Sequence, residues 1–239
     1  MLPLMLKKAG ALNGMQGQIS KELSNSQRAL KELRNLIFSG ELPAGSDHLE
    51  SELAERLGMS RTPVREAALT LESQGLLQLR PRKGVRILPV SADDMREIYD
   101  VLTALESLAA ERAAQSGYSE DDLAPLAKTI ADMSDAINSE DLKVWAEADE
   151  AFHRELVRLG KNTRVIAIFE MLSDQVRRAR ATTLFARPLP TKSNEDHLAV
   201  FEAILAGDAE AAKTRHCAHR KHAKTVLVDL LEKLGLSRV

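Results

Sequence analysis

Apolar residues along this chain recur mainly at intervals of three and four, the spacing that places them on one face of a helix. Leu30, Leu33 and Ile37 mark a first helix over 26–38, which Gly40 ends. Glu52 to Gly58 reads as a short amphipathic helix, Met59 and Ser60 form a tight turn, and a second helix follows over 61–74. There Ser60 stands at the N-cap, Pro63 falls in the first turn where amides lack intrahelical partners, and Gly75 supplies the stop. Val64, Ala67, Ala68 and Leu71 share the inner face, which leaves Arg61, Thr62 and Arg65 on the other face at the entering end. The period then changes. Leu76-Leu77-Gln78-Leu79 and Val85-Arg86-Ile87 are short apolar runs about the turn Arg80-Pro81-Arg82-Lys83-Gly84, which predicts a hairpin. Beyond Ser91 the helical spacing returns in long stretches. Ser91 with Asp94, Ser119 with Asp122 and Ser193 with Asp196 have capping-box spacing; Ser139, Asn162 and Asp208 are further N-cap candidates. Gly117, Gly160, Gly207 and Gly235 fall where helices stop. Six helices result, near 92–116, 120–138, 140–159, 163–185, 194–206 and 209–234.

Two helices joined by a tight turn form a helix-turn-helix. The entering end of its second helix offers free amides, the Thr62 hydroxyl and the guanidinium groups of Arg61 and Arg65, whose forked donors match guanine O6 and N7. Taken alone, that face is equally a solvated basic surface. The hairpin changes the balance, because a purely structural hairpin needs no tip carrying Arg80, Arg82 and Lys83, whereas a minor groove or phosphate backbone attracts one.

Leu42-Pro43-Ala44-Gly45, Glu52-Leu53-Ala54, Ser60 through Ala67 and Gly75-Leu76 together resemble the winged helix-turn-helix of the GntR family of bacterial regulators. The resemblance implies that Arg61, Thr62 and Arg65 read or grip operator DNA and that the wing tip, Arg82, Lys83 and Gly84, enters the minor groove. Relatives often carry an Arg where this chain has Ser51. Arg56 is the neighbouring basic residue and is counted with the DNA-facing set, although it does not stand in the same position.

Composition adjusts this picture in three ways. A chain of 239 residues with 44% hydrophobic content suits two domains with real cores, and an aromatic share of 3% favours helix-on-helix packing. The expected fold is mainly α: an arm over 1–22, a winged helix-turn-helix over 23–88, a linker over 89–92 and an all-helical bundle of about six helices over 93–235. The net charge of −2 confines any DNA contact to a local patch. Cys217 is the sole cysteine, so no intrachain disulfide forms. The apolar start, Met1 to Met5, is too short for a signal peptide or membrane span, and the expectation is a cytoplasmic protein with no membrane partner.

The bundle contains a second constellation. Trp145, Ala148, Phe152 and Leu156 define the inner stripe of the third bundle helix, and Asp149 and His153 lie on it. An ionised carboxylate facing a core is costly unless paired or bound to a metal. His197 shares a face with Phe201 and Ile204, and His219, with His216 beside it, shares one with Ala212, Ala223 and Val226. One Asp and three His from three helices suit a divalent ion of the Zn, Ni, Mn, Fe or Co type, while each histidine alone also reads as a hydrogen-bonded core residue.

Residues from about 93 to 230 resemble the FCD effector-binding domain of the FadR-like branch of the GntR family. The resemblance implies Asp149, His153, His197 and His219 as metal ligands, Zn foremost, with water or an effector carboxylate completing the sphere. His216 is open between a group supporting the ligands, an alternative ligand and an inert core residue, with the first preferred. Relatives often place an effector-gripping Arg where Leu102 stands. Arg177, Arg178 or Arg180 is the substitute cation, or else that run is a solvated or dimer-facing surface, the preferred reading. Trp145, His216 and Arg178 are the expected effector-pocket residues. The function implied is a homodimeric, metabolite-responsive repressor that binds operator DNA and a small organic acid. A regulator that senses the metal itself is the alternative, and a metal-dependent hydrolase is a remote third.

Overall fold

The computed structural model describes residues 23–236, and the expected arm over 1–22 lies outside them. The head begins with α1 (Asn25–Phe38), capped by Ser24 in a reciprocal box with Gln27. A short strand β1 (Asp47–His48) leads to α2 (Glu50–Arg56) and α3 (Arg61–Ser73). The hairpin forms as β2 (Leu77–Arg80) against β3 (Gly84–Ile87), antiparallel with Leu77 opposite Ile87 and Arg80 opposite Gly84. Sequence patterning missed β1, because two residues give no period; it joins β3 as the outer strand of a three-stranded sheet. Val64, Ala67, Ala68 and Leu71 of α3 are buried against Ala29, Leu33 and Ile37 of α1 and against Leu77, Val85 and Ile87 of the hairpin.

The bundle consists of α4 (Ala92–Gln115), α5 (Glu120–Asn138), α6 (Leu142–Leu159), α7 (Thr163–Thr183), α8 (Thr191–Leu205) and α9 (Ala209–Lys233). A 3₁₀ turn over Leu184–Ala186 follows α7. Two cap expectations are corrected. Ser139 ends α5, and α6 is opened by Asp141, whose carboxylate accepts from the amides of Lys143 and Val144. Ser193 caps nothing: α8 starts earlier, directly after Pro190, so Ser193 lies inside its first turn. Ser60 occupies the N-cap of α3 without a side-chain hydrogen bond.

α4 organises the bundle. Its C-terminal half, with Ala110, Ala113 and Ala114, packs with α5, α6 and α8 in one apolar core, and its N-terminal half, with Met95, Tyr99 and Leu102, packs with α7 and α9 in another. Glu106, midway along α4, is fully buried. Among the described residues no helix is long and apolar enough to cross a membrane.

The head rests on α7. Arg34 of α1 pairs with Asp174 at 2.7 Å and donates to Gln74 at 2.9 Å. The Arg177 guanidinium lies 4.8 Å over the Phe38 ring, and Arg178 donates to the Leu88 carbonyl.

Gly84 closes the wing at φ +81°, where a Cβ would fall 2.1 Å from the His48 carbonyl oxygen. Gly84→Ala must displace β1 from β3. The expected loss is about 1–3 kcal/mol of stability in urea denaturation; an unchanged midpoint would show that the strand contact at Gly84 is not as close as described.

Candidate functional site

The head presents a groove between α3 and the wing. Arg61, Arg65, Arg80, Arg82 and Gly84 line it together with Glu50 and Ser51. Arg61 and Arg65 are 70% and 64% exposed at their side chains, and Glu50, 11% exposed, lies 3.8 and 3.5 Å from them. The buried side of α3 turns these arginines outward, as the apolar spacing requires. Thr62 and Lys83 are exposed beside the groove without lining it. Arg56 is outside it and pairs with Glu41. Glu50 was not singled out from sequence; it sits at the very start of α2, where acidic residues ordinarily serve the helix dipole.

In the bundle, α6 supplies Asp149 and His153, α8 supplies His197 and α9 supplies His219. All four are at least 97% buried, and one ligating atom from each lies within 4.8 Å of the others. Nε2 of His197 and Nε2 of His219 face one another at 3.1 Å, and Asp149 carboxylate oxygens stand 3.7 Å from His153 Nε2 and His197 Nε2. Two ligands of a tetrahedral zinc are roughly 3.3 Å apart for bonds of the usual length. Asp149 Oδ1 and His153 Nε2 are buried without hydrogen-bond partners. Orphaned atoms of this chemistry, converging at ligand–ligand spacing, fit a divalent ion.

Two further carboxylates stand behind the rings. Glu106 Oε2 is 2.7 Å from His153 Nδ1, and Asp196 Oδ2 is 3.5 Å from His219 Nδ1. Such partners fix ring orientation and tautomer in metal sites. His216 is 3.4 Å from Glu106 Oε2 and 3.3 Å from Ser107 Oγ, and Glu106, His153 and His216 form a second group of compatible geometry. Burial would push the Glu106 carboxyl up, but Arg220 at 3.1 Å and then His153 outweigh it and hold the group well below the usual range. Asp149 follows the same logic with Arg180, which donates to it.

Beside the cluster opens a cavity of about 280 Å³. His153, Arg180 and Arg220 line it on the cluster side, Leu102, Phe169, Val176, Leu184 and Phe185 give it apolar surface, and Lys143, Glu147, Glu150, Ser173 and Arg177 add charged and polar lining. The expected effector residues fall elsewhere. Trp145 is buried in the core and donates to Asn194 at 2.9 Å, Arg178 is held at the linker by the Leu88 carbonyl, and His216 sits behind Glu106; none of the three lines the cavity. Arg180, read from sequence as surface, is 8% exposed. Trp145 goes to the core because its ring fits the α5–α8 packing, and Arg178 lies two residues round α7 from Arg180, on the side facing the head. Glu106, Asp196 and Arg220 were missed as participants. For Arg220 the available signal was its place one turn after His216 on the inner face of α9.

Burial lowers the pKa of His197, His216 and His219, that of His216 to about 4. Below roughly pH 6.5 the unfolded chain protonates these rings while the folded chain does not, so the unfolded state binds more protons and stability falls as pH decreases. Chelator-treated protein is expected to lose stability steadily between about pH 6.5 and 4 in urea titrations. His216→Asn should flatten part of that slope, and a pH-independent profile in the native chain would refute the neutral, buried rings.

Comparison with known proteins supplies the family. The FCD domain model matches residues 97–222 and the model for bacterial regulatory proteins of the gntR family matches residues 25–87. An HTH-type transcriptional regulator from the TAR-I ttuE-ttuC′ intergenic region of Agrobacterium vitis is 38% identical over 62% of this chain and 88% of its own. The probable D-xylose utilization operon transcriptional repressor of Paenarthrobacter nicotinovorans is 32% identical over 76% of this chain and 80% of its own. Among solved structures, Escherichia coli McbR/YncC shares the fold at TM-score 0.72 and 22% identity, covering 87% of this chain and 98% of that one. The chain therefore belongs to the GntR family of bacterial regulatory proteins and is a DNA-binding transcription regulator that carries an FCD domain behind its helix-turn-helix.

Proposed function

We propose that this regulator is a homodimeric, metabolite-responsive repressor acting in the cytoplasm, with a DNA-binding head over 23–88 joined through 89–92 to an effector and dimerisation domain over 93–235. Asp149, His153, His197 and His219 hold one divalent transition metal, with Zn foremost and Ni, Mn, Fe or Co as chemically acceptable substitutes. A small carboxylate-bearing effector enters the adjoining cavity. The observation that carries this reading is the meeting of His197 Nε2 and His219 Nε2 at 3.1 Å beside the unpartnered Asp149 Oδ1, on the wall of a ligand-sized cavity that His153 shares.

Arg61, Thr62 and Arg65 grip the operator at the major groove, and Arg82, Lys83 and Gly84 enter the minor groove, with Arg56 contacting the backbone nearby. Repression is supported by the name of the Paenarthrobacter relative. Dimerisation is supported by Val101 and Leu108, two exposed apolar residues seven apart on α4. Coupling is supported by α7, whose Val176, Arg177 and Arg180 line the cavity while Asp174, Arg177 and Arg178 touch the head and linker. An effector that fits one setting of α7 better than another shifts the heads by that difference in affinity. The group of Glu106, His153 and His216 keeps a second reading in view, in which the ion itself is the signal and moves between two overlapping sites.

Native mass spectrometry of protein purified without chelator or affinity metal tests the metal claim. A dimer with one transition metal per chain is expected, and His219→Ala should lose it; a native dimer that refuses added Zn, Ni and Mn would reduce the four residues to a polar core network. For the head, Arg65→Ala should cost about 1–3 kcal/mol of operator affinity. A change within twofold by fluorescence anisotropy would remove Arg65 from the reading set.

A further inference from the structure

The groove of the head holds one residue of the wrong sign for contact with DNA. Arg61, Arg65, Arg80 and Arg82 line it, and among the described residues that do so Glu50 is the one acid. A carboxylate there repels the phosphates that the arginines attract. Helix capping does not account for it. The start of α2 is already served by Glu52, whose carboxylate accepts from the Leu49 amide at 3.0 Å. Neutralising the surface does not account for it either, since Arg80 has its counter-charge outside the groove, in Asp47 at 3.0 Å. A first-turn glutamate without further duty ordinarily points into water, whereas the Glu50 side chain is 11% exposed.

Its two oxygens are divided between the arginines of α3. Oε2 lies 3.8 Å from Nη2 of Arg61 and Oε1 lies 3.5 Å from Nη1 of Arg65, so one carboxylate spans two guanidinium groups that stand a helical turn apart. Glu50 faces each arginine at a single terminal nitrogen. The other donors of each planar fork are left for a second acceptor, and a guanine edge takes two of them.

Two effects follow, and they favour the same kind of DNA. The carboxylate cancels one of the two positive charges, which weakens any complex that rests on phosphates alone. It also holds two long side chains near one setting, so less rotamer freedom is lost when they meet base edges. A duplex that offers acceptors to both forks regains what the carboxylate takes away, and one that offers only its backbone does not. We propose that Glu50 is a specificity-determining residue of the head, which positions Arg61 and Arg65 for base edges and disfavours DNA that presents its backbone alone. This rests on the assignment of Arg61 and Arg65 to the reading set.

The test begins with a duplex selected from a randomised library by the full-length native protein. That duplex and a scrambled one of the same composition are titrated by fluorescence anisotropy at several salt concentrations against the native chain, Glu50→Gln and Glu50→Asp. Glu50→Gln is expected to bind the scrambled duplex about threefold more tightly, with a salt slope steeper by about one unit. Its preference for the selected duplex over the scrambled one should fall about tenfold, the worth of one good base contact. A merely structural role for Glu50 would weaken both duplexes together and would not tighten the scrambled one. Glu50→Asp keeps the charge and loses reach, so it should bind the scrambled duplex as the native chain does and the selected duplex more weakly. That variant decides alone if Glu50→Gln does not fold. An unchanged preference in the variant that decides, or an equal loss on both duplexes, overturns the inference. Arg65→Ala separates the two claims: a change within about twofold on the selected duplex faults the reading set itself, whereas a clear loss there beside an unchanged preference in Glu50→Gln faults this inference alone.

Discussion

Two carboxylates buried in the middle of a helical bundle set the terms for the rest of this structure. Asp149 and Glu106 are 1% and 0% exposed, and neither can remain ionised there without counter-charge and hydrogen bonds. Removing one partner of such a pair typically costs about 3–5 kcal/mol, because the surviving charge is stranded. The compensation comes from α7 through Arg180, from α9 through Arg220 and from the imidazoles of α6, α8 and α9. Five of the six bundle helices are therefore held to one polar centre, α4 and α6 through the carboxylates themselves. α5 supplies none of these charged or imidazole groups and joins the bundle through its apolar face.

That centre divides the bundle's apolar interior in two, and the division gives the helices different work. The half built on the end of α4 with α5, α6 and α8 is a packed core that fixes the cluster's geometry. The half with α7 and α9 borders the cavity and, through α7, the head. Arg177 is the side chain that spans this seam, lining the cavity while stacking on Phe38. Burial pushes the Asp174 carboxyl above its usual range even with Arg34 beside it, so the ion pair at the seam works against desolvation. Such a contact is well placed to hold the head in one setting and to yield to another at modest cost.

How much of this was legible in the sequence follows from which features have a period. The helices of the bundle and the inward direction of Asp149, His153, His197 and His219 were readable, since a stripe of apolar residues fixes which polar ones it carries inside. Helix starts were less so: Ser139 and Ser193 are good cap chemistry in the wrong place, because Asp141 offers its carboxylate to two amides and Pro190 sets the chain direction before Ser193 is reached. The arginines were misread for a physical reason. A basic run is ordinarily solvated, and nothing in Arg177-Arg178-Ala179-Arg180 says that one member faces the cavity, one the linker and one a buried carboxylate. Glu106 was likewise invisible, as one acid among the several of α4 declares no partner until α9 is laid against it.

The distribution of those arginines makes a leucine at position 102 compatible with the carboxylate effector proposed above. A cation on α4 would point into the cavity from the helix that already carries Glu106, and their mutual attraction would compete with any ligand for it. Placing the cations on α7 and α9 instead leaves each guanidinium anchored by one edge and available by another. The proposed effector would touch both α7 and α9 across the cavity, and an arrangement of the two helices that fits it better would gain its binding free energy. Because α7 also bears the contacts to Arg34, Phe38 and Leu88, the effector proposed above would act on the head through a single helix, with no separate relay required.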